Sequence, residues 1–447
     1  MASRYRRAAC AAGISACLAG LTAAPARAAH AEADAEADAD TNADMLDAPV
    51  LEITVPAVAP AAAPAAKSPY AVPDLTGLTR YLPSLRTPIG TAAIGLELIG
   101  DWTGFRQDAT SLAQVGQQSD QFQMRSAAVG ISGQLGPDSH ITYALGLQYN
   151  GFNTNADQNW TVSDFAINID LPKHQTRIEI GQIKGSFSYE VVGSFVKMPQ
   201  AERTLSPFVA PRNPGIKIIH AFGPEKRMTA TFSLYKDQAE TAGGSLGGAM
   251  RVTGLVFGPG ADGNGYLHVG GSVLLSGSDT AAVWRAQPGS DVASFYVDTG
   301  DLNVNKTANL GFEALYSDGH GWSVQAEYVA ARVDTVDFGT VGFRGFYLLG
   351  SWVMTGEFRP YNRDTGVAGR IEPRGRWGAP ELYARWSMVD LEDGPVQGGA
   401  YTRMEVGFNW WATREWKFGL VAGRVWLDRF GETGVTDTLL TRIQWVF

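Results

Sequence analysis

The 447-residue chain carries 36 basic and 45 acidic residues, a formal charge of −9, and is 45% hydrophobic. Its mean hydropathy is −0.09, and no run of about twenty apolar residues follows the N-terminal stretch, which excludes a helical membrane span. The acidic balance argues against a nucleic-acid partner, and the length suits two or three ordinary domains or one long barrel.

Arg4, Arg6 and Arg7 precede an apolar stretch of mostly small residues from Ala8 to Ala24, and Ala26-Arg27-Ala28 fits a small-x-small cleavage site. Residues 1–28 therefore read as a secretory signal peptide. A lipoprotein site at Cys17 is the weaker reading, because the apolar run continues past it. Cys10 and Cys17 are the two cysteines and both fall inside this peptide, so the mature chain has no disulfide or cysteine nucleophile. Residues 29–90 read as a disordered segment: eight acids and no Lys or Arg lie between Ala29 and Glu52, followed by the Pro/Ala-rich VPAVAPAAAPAAKSP. Without signal peptide and acidic tail, 32 basic residues face 37 acidic ones. Any anion preference must come from where the cations sit.

From about residue 91 the chain repeats one theme, ten or so residues of alternating polarity and then a turn. Phe165, Ile167, Ile169 and Leu171 alternate with Asp164, Ala166, Asn168 and Asp170; Met228, Ala230, Phe232 and Leu234 alternate with Thr229, Thr231, Ser233 and Tyr235. In a soluble sandwich the apolar face would be core; in an outer-membrane barrel it meets lipid and the polar face lines a wet lumen. Three features favour the membrane. The turns GPDS, LPKH, GPEK, SDGH and ATRE are short, and the connections between them read as long. Trp102, Trp160, Trp322, Trp411, Trp416 and Trp426 sit near strand ends, as an interfacial girdle requires. The chain ends TLLTRIQWVF, an alternating strand closed by Phe447. Strands are expected near 91–102, 121–134, 139–150, 160–171, 175–184, 214–222, 227–237, 248–257, 265–275, 307–316, 321–331, 342–354, 380–390, 402–411, 414–427 and 436–447. The fold class is therefore all-β, a 16-stranded antiparallel transmembrane β-barrel over residues 91–447 with infolded loops; an even count places both ends on the periplasmic side. That parity makes 276–306 the fifth external loop and leaves 355–379 as a long periplasmic connection.

Between the fifth and sixth strands roughly thirty irregular residues intervene, an insert of a size that is usually functional. It holds Lys184, Lys197, Arg203 and Arg212 among Phe187, Tyr189, Phe195 and Phe208 and four prolines. A loop so rich in aromatics needs a surface to pack against, and the wall of the lumen supplies one.

GQIKGSFSYE, AERTLSPF and APRNPGI in this insert resemble the long third loop of the phosphate-selective porin family, the O and P type outer-membrane porins. TGEFRPYNRDTGVAGRIEP, GAPELYARWSMVDLEDG and VGFNWW are similar to that family's C-terminal third, so the resemblance covers most of residues 90–447. It implies an outer-membrane location, a homotrimer, no cofactor, passive diffusion of small anions such as phosphate or polyphosphate, and third and fifth loops and a late periplasmic turn folded into the barrel. It also implies that Phe447 is the signal read by the barrel assembly machinery. Onto the loop motif map Arg203, within AERTLSP, and Arg212, within APRNPG, as pore cations, with Lys184 and Lys197 as weaker candidates. Arginine suits a phosphate neck, since its planar fork donates two parallel hydrogen bonds. The competing reading has Arg203 and Arg212 tie the loop to carboxylates such as Glu202 or Asp170.

Alternation offers a second set. With Leu382, Ala384, Trp386 and Met388 outside, Arg385 points into the lumen, and the same parity puts Arg403 and Arg442 there, beside Glu327, Glu381 and Glu405. Arg359, Arg363, Arg370, Arg374 and Arg376 crowd the late connection, opposed by Glu357, Asp364 and Glu372. The third loop carries fewer lysines than the family's phosphate porins, which keeps open a general small-solute porin; a plugged, non-conducting barrel is the third class. The six histidines, His30, His140, His174, His220, His268 and His320, are scattered without metal-ligand spacing, and no nucleophile or phosphate-loop motif occurs.

Overall fold

The computed structural model describes residues 85–447 apart from 137–138, 150–159, 211, 237–245, 259–264 and 278–280. The expected signal peptide and nearly all of the acidic and Pro/Ala-rich segment lie outside the described residues. Among those described, sixteen long strands run in chain order: β1 Gly90–Gln107, β2 Gln121–Gln134, β3 Ile141–Tyr149, β4 Trp160–Leu171, β5 Thr176–Ile183, β6 Asn213–Phe222, β7 Met228–Lys236, β8 Leu246–Phe257, β9 Tyr266–Gly277, β10 Leu302–Ser317, β11 Trp322–Thr335, β12 Gly339–Val353, β13 Ala379–Asp393, β14 Val396–Trp411, β15 Trp416–Arg429 and β16 Glu432–Val446. Each pairs antiparallel with the next, and β1 closes on β16 from Glu97 opposite Val446 to Gln107 opposite Thr436. Closure removes the sheet edges that lipid would leave unsatisfied.

The packing is inverted relative to a soluble sandwich. Phe165, Phe232 and Trp322 are 53%, 49% and 56% exposed, while Asn168 and Ser233 on the opposite face are fully buried. The apolar face therefore lies outside, where only lipid can cover it, and the faces expected for β4 and β7 are those observed. Trp411 departs from the girdle: it points inward, with Nε1 donating to the Glu381 carboxylate at 3.0 Å.

The loop lengths correct one expectation. Apart from 354–378, the connections at the end bearing the termini are short, but three connections at the other end are also tight, at 336–338, 394–395 and 430–431. Alternation of apolar residues fades around Asp334 and Asp390, which suggested loops, yet the backbone ladder continues: Asp334 pairs Thr340 and Thr335 pairs Gly339. Strand pairing needs backbone partners, not apolar side chains, once the wall rises out of the hydrocarbon layer.

The lumen is occupied. The described residues of the third loop, 184–210 and 212, and of the fifth, 281–301, fold inward; Phe187, Leu205 and Phe208 of the former and Tyr296 and Val297 of the latter cluster with Val329, Phe343, Tyr347, Val389 and Tyr401 of the wall. The outer half of β11 to β13 therefore carries apolar side chains inward, against the polar lumen that alternation alone implies, because loops rather than water cover it. A short helix α1, Ala109–Val115, capped by the Asp108 carboxylate accepting from Ser111 N at 2.7 Å, packs on β16 from the first loop. Residues 354–378 reach in from the end bearing the termini: the Tyr361 hydroxyl lies 2.8 Å from His268 Nδ1, Arg251 donates to the Gly366 carbonyl at 2.8 Å, and Arg359 grips Glu381 at 2.7 and 3.1 Å.

Candidate constriction site

The third loop is bent around two buried carboxylates. Glu327 on β11 accepts the backbone N–H groups of Tyr189 and Glu190 at 2.8 and 3.1 Å, fixing the first turn of the loop, the short helix α2 at Tyr189–Val192. Glu190, itself fully buried, then accepts from Thr204 N and Leu205 N, both at 2.9 Å, and pairs with Arg385. One loop carboxylate thus ties the two ends of the hairpin together. An uncompensated buried carboxylate would be far too costly, so Arg385 and four N–H donors at two carboxylates are what the fold requires there.

Side chains of the wall catch the loop's carbonyls around much of the circumference. Gln444 donates to Val196, Lys417 to Met198, Asn409 to Pro199, Arg442 to Ala201, Arg385 to Glu202 and Asn309 to Phe208, at 2.6 to 3.1 Å. Each satisfies a backbone acceptor that an irregular loop would otherwise bury unpaired. Asn309, Asn409 and Lys417 were not among the sequence candidates; inward parity alone marks them no more than any other polar wall residue.

Against this frame a cavity of about 180 Å³ opens between third loop, fifth loop and wall, lined by Arg125, Phe195, Glu202, Arg203, Ser206, Gln287, Ser290 and Asp291. Both guanidiniums sit over the Phe195 ring, Arg125 at 5.6 Å and Arg203 at 5.4 Å, a cation–π arrangement. Arg203 Nε donates to the Glu190 carbonyl at 2.7 Å. Arg125 forks onto Glu202 at 2.8 and 3.0 Å, and Arg442 bonds Glu202 at 2.6 Å while clasping Asp101 at 2.6 and 2.8 Å. Burial alone would raise the Glu202 carboxyl, but Arg125 and Arg442 outweigh it and hold the group down at about 2.

Arg125 escaped the sequence reading for a geometric reason. The register between β1 and β2 shifts at Ile99 and Gly100, where Ile99 pairs Ser126 and Gly100 pairs Met124, leaving Arg125 as the extra residue of a β-bulge. Alternation counted back from Ala128 and Ser126 puts Arg125 outside; the bulge turns it into the lumen, a common use of such irregularities.

The other candidates are dispersed. Arg212 donates to Asp164 on β4 at 2.9 Å, a tie of the kind the competing reading describes but to a different acid from the two named. Lys184 is buried at the start of the loop. Lys197 borders a smaller cavity with Tyr189 and Arg359, and its carbonyl accepts from Arg359 at 3.0 Å. Arg385, Arg403 and Arg442 all point inward as parity requires, and each meets a carboxylate: Glu190, Glu405 at 2.6 Å, and Asp101 with Glu202. Among the described residues no group of His, Cys, Asp and Glu could hold a metal ion.

A closed sixteen-stranded barrel with a lipid-covered outer face and a third loop pinned inside the lumen is an outer-membrane porin. The chain belongs to the phosphate-selective porin O and P family, whose model matches residues 94–447. No curated protein matches it significantly. Among solved structures it is similar to OmpT of Vibrio cholerae, at 11% identity and a TM-score of 0.52 over 81% of this chain and 99% of that one. The outer membrane channel DcaP of Acinetobacter baumannii gives 10% and 0.53 over 81% and 99%, and an anion-selective porin from Comamonas acidovorans 10% and 0.52 over 80% and 100%. At such identities these likenesses speak for the fold.

Proposed function

We propose that the barrel passes small anions, phosphate among them, by diffusion past the cavity where Arg125 and Arg203 flank Phe195, and that Arg203 is the cation a solute meets. The match of residues 94–447 to the phosphate-selective family carries this reading. The geometry adds that two guanidiniums share one small polar cavity with the hydroxyls of Ser206 and Ser290, groups suited to an oxyanion. Arg212, Lys184 and Lys197 then act outside this neck, Arg385 and Arg442 hold the loop that forms it, and Arg403 pairs with Glu405 on the wall. A homotrimer and delivery by the assembly machinery through Phe447, whose backbone exchanges hydrogen bonds with Leu96 at 2.8 and 2.9 Å, belong to the same proposal.

A second reading, a general small-solute porin, is favoured by the pairing of most inward arginines with carboxylates, which leaves little net positive field. Phosphate titration into a chloride current separates the two. Block of the current by inorganic phosphate that weakens in Arg203→Ala supports the anion neck; a current indifferent to phosphate in both proteins supports the general porin.

A further inference from the structure

The outer face of the barrel contains a trough of about 750 Å³ that the passage of solutes does not use. Its walls are Phe232, Met250, Val273 and Leu275, exposed by 49%, 50%, 37% and 56% on adjacent strands β7, β8 and β9. The register explains the hollow. Leu234, Gly248, Leu275, Ala308 and Arg332 face one another in one row across β7 to β11, so two positions of that row have little or no side chain. A Cβ built on Gly248 meets nothing closer than 3.5 Å. The space is open to whatever surrounds the barrel.

The trough has a polar roof. Lys306, 74% exposed, and the exposed Arg332 stand at its rim, with Asp334 3.9 Å from the Lys306 ammonium. Diagonally across β12, Arg344 is also exposed and pairs with Asp390 at 2.9 Å. Lys306 follows the fifth loop and Arg332 precedes the hairpin at 336–338, so this rim lies at the end opposite the termini, the external end of the barrel. Cations above an outward apolar trough match a lipid with its acyl chains below and its phosphate above.

We infer that this trough is a binding site for a phosphorylated, multiply acylated lipid of the outer leaflet, one chain lying over Gly248 and Ala308 and a headgroup phosphate held by Lys306 and Arg332. The inference rests on the outer-membrane location and is independent of what the lumen conducts.

The test is native mass spectrometry of the full-length protein in detergent with lipid A bearing both phosphates, with phosphatidylethanolamine and inorganic phosphate as comparison probes. Retention of lipid A is expected to fall about thirtyfold in Lys306→Gln/Arg332→Gln, from roughly 1 kcal/mol per cation and about 1.4 kcal/mol per decade. Gly248→Trp, which fills the trough and keeps both cations, is expected to lose retention too. Equal retention in both variants, or phosphatidylethanolamine held as tightly as lipid A, would overturn the site, leaving ordinary boundary lipid. Inorganic phosphate bound equally well would overturn the lipid assignment, and loss of oligomer mass in Gly248→Trp would place a second copy of the chain there instead.

Discussion

Glu190→Gln tests whether the third loop is held by one carboxylate. The substitution is nearly isosteric and its side-chain oxygen can still accept from Thr204 N or Leu205 N, but Arg385, buried on the wall with its guanidinium 4.5 Å above the Tyr347 ring, loses its partner charge. Breaking a buried pair by removing one member costs about 3–5 kcal/mol. The barrel ladder is untouched, so this cost falls on loop docking. At about 1.4 kcal/mol per decade the undocked population rises roughly a hundredfold to a few thousandfold. Single-channel recording would show it as frequent excursions to a larger conductance, and protease would cut within 184–212 while the barrel stays folded on a gel. Adding Arg385→Met is expected to recover part of the loss, because it removes the stranded charge. Quiet, protease-resistant channels in Glu190→Gln would refute the account, as would a double variant looser than the single.

Glu202 gives a pH dependence with a definite sign. Its carboxyl titrates at about 2 in place of an ordinary 4.5, so its contribution, about 3 kcal/mol for the difference, is complete above pH 4.5 and is lost as the pH falls through 2. Protease resistance of the loop is expected to hold down to about pH 4 and fail near 2, and Glu202→Gln is expected to start near the weakened level at neutral pH. Asp164→Asn removes a wall carboxylate, now bonded by Arg212 at 2.9 Å, and should move the reversal potential toward the anion limit; no movement would leave that pair outside the solute path. Arg359→Ala takes the paired cation from the buried Glu381, which keeps only the neutral donors Asn409 and Trp411, and removes the bond to the Lys197 carbonyl, so residues 354–378 are expected to become protease-sensitive with the strands intact.

Much of this architecture was legible because a barrel wall is a period-2 object. Phe165 against Asn168 or Phe232 against Ser233 reads the same in sequence and structure, and Arg385, Arg403 and Arg442 are buried side chains of their strands. What alternation cannot encode is a change of phase or of surroundings. The bulge at Arg125 breaks the phase, and the tight hairpin at 336–338 continues a ladder whose side chains have stopped alternating in hydrophobicity. Trp411 looks like any girdle tryptophan until Glu381 and Lys417 are found beside it. Glu190 was equally silent: a lone loop acid gives no sign that the loop will fold around it, since its partners lie 14, 15 and 195 residues away.

The central claim, that an anion path runs past Arg203, is tested most directly by the reversal potential across a tenfold KCl gradient in a planar bilayer. The account predicts a chloride-side potential in the wild type, short of the ideal limit of roughly 59 mV, that collapses toward zero in Arg203→Ala with single-channel noise unchanged. A potential near zero or on the potassium side, the same in both proteins, would contradict it.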